Sequence, residues 1–264
     1  MGALDKLVPA GRGKYEYADV FPMLYLKILL EGVKPDTKIK HLVIDEMQDY
    51  SPVQYRVIAH LFPCRKTILG DHHQSVNPIS ASPAEAIREL LPQSRCMFMN
   101  KSYRSTVEIM ALAQRIRRNE NLVTIDRHGE SPEIIACRDA AHERAVIRER
   151  ATRFLSSDRN AMGILCKTQD AADALYEALR QESRRIHLIS PKSTVFSGGI
   201  IIATAHLAKG LEFDEVLVPH ANHETYRSPV DRHMLYVACT RAMHALCLTH
   251  VGELTRFLSD SEGG

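Results

Sequence analysis

The residues best placed to do chemistry stand where an apolar run stops. Lys40-His41 leads into Leu42-Val43-Ile44, and Asp45-Glu46-Met47-Gln48-Asp49 follows at once. Such a triplet reads as a buried strand of a parallel sheet, and α/β sheets collect ligands at the carboxyl ends of their strands. A carboxylate at that tip is a hard oxygen ligand, which assigns Asp45 to Mg²⁺. The next acid, Glu46, is placed to orient and deprotonate an attacking water. The same two acids would also suit the start of a helix near Ser51, because anions favour helix N-termini. On this segment alone both readings stand.

A second strand of the same kind, Lys66-Thr67-Ile68-Leu69, ends in Gly70-Asp71-His72-His73-Gln74-Ser75. Two strands with polar clusters at the same end favour a nucleotide site over a helix cap. A phosphate loop would complete that site. It needs G-x-x-x-x-G-K-[ST], so that backbone amides wrap the phosphates and a hydroxyl reaches Mg²⁺. The nearest string is Gly11-Arg12-Gly13-Lys14, with Val8 where the first glycine belongs, Tyr15 after the lysine, and no apolar strand before it. The expectation is a chain whose phosphate loop (Walker A) lies upstream, in a longer polypeptide of which these residues are the C-terminal part.

Composition sets looser limits. A chain of 264 residues, 45% hydrophobic and 25% charged, has room for one large or two modest domains. A net charge of +2 announces no nucleic-acid partner by itself, though a local basic groove is compatible with it. Cys64, Cys96, Cys137, Cys166, Cys239 and Cys247 form no C-x-x-C pair, which argues against a zinc or iron–sulfur centre and for reduced thiols. No basic region followed by a long apolar one opens the chain, and Phe21 to Leu30, with Pro22 and Lys27 inside it, is too short to span a bilayer. The expected location is cytoplasmic, with no membrane partner.

The elements that must position the acids follow from periodicity. Val20, Leu24 and Ile28 predict a helix over 17–30, and Val53, Val57, Ile58 and Leu61 predict another. Ser82-Pro83-Ala84-Glu85 opens a third, with a cap, a proline and an acid in the first turn. Cys96-Met97-Phe98-Met99 reads as a new strand, and Lys101 to Thr106 as the opening of a helix. Strands are then expected over 133–137, 161–167, 185–189, 200–205, 215–219 and 245–249, with helices over 142–155, 169–180 and 232–243. That alternation predicts a parallel α/β domain.

"VIDEMQD" followed by "ILGDHHQS" resembles motifs II and III of the UvrD/Rep superfamily 1 helicases, and further strings fit the family in order. Lys101-Ser102-Tyr103-Arg104-Ser105 resembles motif IV, with Ser102 where the family commonly has asparagine. Thr204-Ala205-His206-Leu207-Ala208-Lys209-Gly210-Leu211-Glu212-Phe213 fits motif V at every specified position. Tyr236-Val237-Ala238-Cys239-Thr240-Arg241-Ala242 resembles motif VI.

The resemblance implies two RecA-like parallel-sheet α/β domains, an incomplete first over 1–94 and a second over 95–264, binding ATP and Mg²⁺. It implies Asp45 for the metal, Glu46 as base, Gln74 as a γ-phosphate sensor, Tyr103 stacked on adenine and Arg104 on the γ-phosphate. Arg241 becomes the arginine finger. In motif V, Gly210 lets backbone approach phosphate or sugar, Glu212 accepts from a ribose hydroxyl, and Thr204 and His206 touch a DNA backbone.

The expected activity is that of a motor-core fragment moving on single-stranded DNA, inactive alone without Walker A. Only about a hundred residues separate Arg104 from Thr204, and that compactness, with the run before motif II, resembles the HelD branch. It supplies the alternative: a non-catalytic module docking on RNA polymerase. Asn77 and Ile79 stand where UvrD-like proteins carry base-stacking aromatics, and the chain has no Trp. Stacking contributes roughly 1–3 kcal/mol per base, so weaker translocation along DNA is expected.

Overall fold

The computed structural model describes residues 16–71, 84–190 and 198–259. The chain divides into two compact units, Met1–Phe98 and Met99–Gly264.

In the first unit, α1 (Tyr17–Glu31) ends at Gly32, whose φ of 76° is the left-handed conformation that glycine adopts without strain. β1 (His41–Ile44) and β2 (Arg65–Ile68) pair in parallel, from His41 opposite Arg65 to Ile44 opposite Ile68. Between them runs α2 (Pro52–Leu61), with proline in its first turn. Its start is fixed reciprocally: Gln54 N–H donates to Ser51 Oγ at 3.4 Å, and Ser51 N–H donates to Gln54 Oε1 at 2.6 Å. α3 (Ala84–Leu90) follows; its expected cap at Ser82 and Pro83 lies outside the described residues. Ile44, Tyr55 and Ile87 form the small core that holds β1 against α2 and α3.

In the second unit, β3 (Lys101–Ser102) and β4 (Val123–Thr124) make a short parallel pair beside α4 (Val107–Ile116). The main sheet has six strands: β5 (Glu133–Cys137), β6 (Ala161–Cys166), β7 (Ile186–Leu188), β8 (Gly199–Thr204), β9 (Phe213–Val218) and β10 (Ala242–Val251). All pairings are parallel, in the order β5-β10-β9-β6-β8-β7. β6 and β8 are buried along their whole length, which explains their uninterrupted apolar sequences.

Alternate residues of β8 face opposite layers. Ile201 and Ala203 pack with α4 and α7 (Pro229–Cys239), whereas Ile200 and Ile202 pack with α5 (Ala140–Leu155) and α6 (Gln169–Leu179). Each such isoleucine contributes about 1.5–3 kcal/mol by leaving water. In this unit α4, α5, α6 and α7 each carry a side-chain cap, from Thr106, Asp139, Thr168 and Ser228.

Three expectations fail. Cys96 to Met99 is no strand: it lies outside regular structure, with Met97, Phe98 and Met99 at 88%, 74% and 90% exposure, and no strand among the described residues pairs with it. The helix after motif IV begins at Val107 rather than within 101–106, because Lys101–Ser102 pairs with β4 and Thr106 supplies the cap. α7 stops at Cys239, short of Met243, because Ala242 already enters β10.

Candidate functional site

Asp45 and Glu46 sit at the carboxyl end of β1, and neither caps α2; Ser51 and Gln54 do that. The capping alternative is thereby removed. Asp45 is exposed, and its Oδ1 accepts the Glu46 N–H at 2.8 Å. Its Oδ2 has no partner among the described residues. Mg²⁺ keeps several waters and takes one or two carboxylates together with phosphates, so a single strand-tip carboxylate with an unengaged oxygen fits it. No cluster of three or more His, Cys, Asp or Glu able to cage a metal occurs among the described residues.

Glu46 adopts φ 53°, ψ 50°, an uncommon left-handed conformation for a non-glycine residue, and such conformations gather at functional sites. What holds it is Gln48, which sequence reasoning left without a role. The Gln48 side chain is 1% exposed; its Nε2 donates to Glu46 Oε2 at 2.5 Å, and its Oε1 accepts Asp71 N–H at 3.0 Å. One buried amide thus joins the acid after β1 to the backbone after β2.

The surrounding turn is stitched down by three further bonds: Met47 N–H to Leu69 O, Leu69 N–H to Ile44 O, both at 2.8 Å, and Tyr55 Oη to Met47 O at 3.0 Å. Gly70 is required by this closeness, since a Cβ there would lie 2.4 Å from Gln48 Oε1. Gln74 lies outside the described residues, as do Asn77, Ile79 and Gly11 to Lys14.

In the second unit, Arg104 of motif IV meets Glu212 of motif V, with Nε and Nη2 each 2.6 Å from Oε1. Tyr103, next to it, is 64% exposed. The backbone of this stretch is fixed twice. Arg127 Nη1 donates to Arg104 O at 2.7 Å, and the buried Ser105 hydroxyl donates to Ala242 O at 2.6 Å, which ties motif IV to the end of motif VI.

After β8 the chain turns: Thr204 Oγ1 accepts Leu207 N–H at 3.3 Å, His206 is exposed, and Gly210 takes φ 81°. Arg241 is 1% exposed. Its Nε donates to Val237 O at 3.2 Å and its Nη2 to Thr240 Oγ1 at 3.5 Å, at the carboxyl end of α7 where the helix dipole favours a cation. Tyr103, Arg104 and Glu212 are therefore accessible in this unit, and the Arg241 guanidinium is buried at the end of α7.

Four of the thiols lie in the core. Cys137, Cys166, Cys239 and Cys247 are buried and unpaired, and burial pushes Cys166 up to about 12 and Cys247 up to about 11, which keeps both neutral. No helix among the described residues is long and apolar enough to cross a membrane.

Comparison with known proteins places this geometry. Residues 30–78 match the UvrD/REP helicase N-terminal domain, and residues 199–249 match the UvrD-like helicase C-terminal domain. The chain is 30% identical over 121 residues to the ATP-dependent DNA helicase Rep of Buchnera aphidicola subsp. Baizongia pistaciae, covering 42% of this chain and 18% of Rep. It is 25% identical over 167 residues to the putative ATP-dependent DNA helicase YjcD of Bacillus subtilis, covering 56% of this chain and 21% of YjcD. The matched stretches thus span about a fifth of those relatives.

Among solved structures, the C-terminal domain of a possible DNA helicase from Lactobacillus plantarum WCFS1 is 32% identical, with a TM-score of 0.51 over 60% of this chain and 92% of that one. The two domain matches, in chain order and with these relatives beside them, make this a chain of UvrD/Rep-like superfamily 1 helicase domains and a distant homologue of those DNA helicases.

Proposed function

We propose that this chain is the motor-core segment of an ATP-dependent superfamily 1 DNA helicase or translocase, carrying motifs II to VI and working on single-stranded DNA. The observation that carries the reading is the Asp45–Glu46 pair at the tip of β1, with Glu46 gripped through Gln48 to the backbone of Asp71. A base that must meet one water in one orientation gains from being held this way.

Under this reading Asp45 holds Mg²⁺, which when bound neutralises phosphate charge. Glu46 orients and deprotonates the attacking water. Gln74 and Arg104 contact the γ-phosphate, Tyr103 offers its exposed face to adenine, and Arg241, whose guanidinium must first leave its buried place at the end of α7, counters the charge that develops on the phosphoryl group. Glu212 and Gly210 serve the ribose and phosphate side, and Thr204 with His206 contact the DNA backbone. The sequence contains no G-x-x-x-x-G-K-[ST]. Hydrolysis therefore requires a phosphate loop in the same polypeptide, and these 264 residues alone should turn over ATP negligibly.

The test is Glu46→Gln in a polypeptide that joins this chain to such a loop. DNA-stimulated hydrolysis should fall by at least about a hundredfold while nucleotide affinity is kept, because the amide retains the shape but takes no proton. Hydrolysis at the parental rate would remove Glu46 from the role. A docking module for RNA polymerase draws no support from the relatives reported above, which are named as DNA helicases.

A further inference from the structure

The carboxyl edge of the six-stranded sheet carries a polar cluster that none of these roles uses. Glu143 on α5 is 1% exposed, and its carboxylate accepts three hydrogen bonds. His220 N–H (3.0 Å) and the Thr249 hydroxyl (2.7 Å) donate to Oε1, and His220 Nδ1 lies 2.7 Å from Oε2. His220 follows β9 with φ 56°, again left-handed and non-glycine. Its side chain is 43% exposed, and Nε2 has no partner among the described residues. A buried carboxylate therefore fixes the ring from behind and leaves its other nitrogen facing outward.

Strand register says what lies beside it. Thr204, the last residue of β8, pairs with Cys166 of β6, and Ile164 of β6 pairs with Leu217 of β9. Two residues further on, Pro219 is level with Cys166 and Thr204, and His220 is the next residue. The His220 and motif V loops thus leave the same edge two strands apart, about 10 Å at the usual strand spacing. Lys167, just past the end of the strand between, is occupied: its Nζ holds Asp231 at 2.7 Å and Thr225 O at 2.5 Å.

We propose that His220 is a second nucleic-acid contact, its Nε2 donating to a backbone phosphate of the same strand that passes Thr204 and His206. The proposal rests on the reading that those two residues touch nucleic acid. With Nδ1–H committed to Glu143, Nε2 is the ring nitrogen left to meet a phosphate. An Nε2–H there donates to a phosphate oxygen, and the buried Glu143 carboxylate behind the ring is the counter-charge for a ring that carries a proton on both nitrogens. The groups around the ring and its carboxylate are Glu143 from α5 and the uncharged Thr249 hydroxyl from β10. The Cys137 and Cys166 thiols, from β5 and β6, are raised by burial and stay neutral. The arriving phosphate thus meets the outward nitrogen of a ring held in place by Glu143.

The experiment is fluorescence anisotropy of a labelled oligothymidylate with the 264-residue chain, as a function of salt. His220→Asn suits the backbone, since asparagine tolerates left-handed φ. It should weaken binding about tenfold and reduce the slope of log K against log salt by about 0.7, the value of one single-strand phosphate. His220→Lys, which restores a cation, should restore the slope. In the unsubstituted protein, imidazole ¹⁵N spectra should show the His220 Nε2 resonance, identified by its absence from His220→Lys, shifting as oligothymidylate is added.

Unchanged affinity and slope in His220→Asn, while His206→Ala weakens binding, would overturn the proposal and leave the function standing. So would spectra in which that resonance stays still. An unsubstituted chain that binds no oligothymidylate would overturn both.

Discussion

Arg104 and Glu212 stand 108 residues apart in sequence and close into one ion pair, Nε and Nη2 both 2.6 Å from a single carboxylate oxygen. Their side chains are 35% and 44% exposed, so solvent screens the pair. A double-mutant cycle of Arg104→Gln and Glu212→Gln, read by urea unfolding of the second unit, should give a coupling below about 1 kcal/mol that shrinks with added salt. A coupling above about 2 kcal/mol would show that the pair carries structural weight.

Gln48→Leu should act locally. The substitution withdraws a donor from Glu46 and an acceptor from Asp71 N–H, at a cost of about 1–3 kcal/mol to the first unit. Native-state hydrogen exchange should show the Asp71 amide exchanging faster, with the amides of Ile201 and Ile202 unchanged. Persistent protection at Asp71 would mean that the Gln48 bridge is dispensable.

Gly70→Ala tests the same junction by crowding it. The new Cβ would lie 2.4 Å from Gln48 Oε1 and 2.6 Å from both Met47 Cγ and Met47 N. Met47 N is held by Leu69 O and cannot retreat freely. A loss of about 1–3 kcal/mol is expected in thermal or urea unfolding of the first unit. A neutral substitution would show that the β1 and β2 ends are not in this close contact.

Acid should unlock the carboxyl edge of the large sheet. Burial pushes Glu143 up, but His220 and the Thr249 hydroxyl outweigh it, and the carboxyl is lowered from 4.5 to about 2. A depressed carboxyl stabilises the fold above its unfolded value and loses that contribution as pH falls from about 4.5 towards about 2. Thr249→Val, which removes one donor, should move the midpoint of acid unfolding by circular dichroism to higher pH. It should also cost about 1–3 kcal/mol at neutral pH. An unmoved midpoint would show that Glu143 does not set acid stability.

Chymotrypsin should cut first at Phe98. The residue is 74% exposed, lies outside regular structure and ends the first compact unit. Mass spectrometry of early digests should find fragments ending at Phe98 and beginning at Met99. First cleavage within α5 or α6 would contradict this order.

Sequence by itself determined the strands that are buried on both faces. Ala161 to Cys166 and Gly199 to Thr204 have α-helices over each side, so every position is apolar or small and the run is legible without a partner. The motif strings were legible for a related reason: chemistry at a strand tip demands particular residue types at fixed short spacing. Cys96 to Met99 shows the limit of that logic, because an apolar run becomes a strand only where a neighbouring strand accepts its hydrogen bonds.

Only the tertiary structure decided which distant residues meet. Gln48 reaches Asp71 because β1 and β2 are adjacent. Arg104 reaches Glu212 across two motifs, and His220 and Thr249 converge on Glu143 because β9 and β10 are neighbours in the sheet. Strand order is set by packing and chain crossover over the whole unit, and no local pattern of residues encodes it.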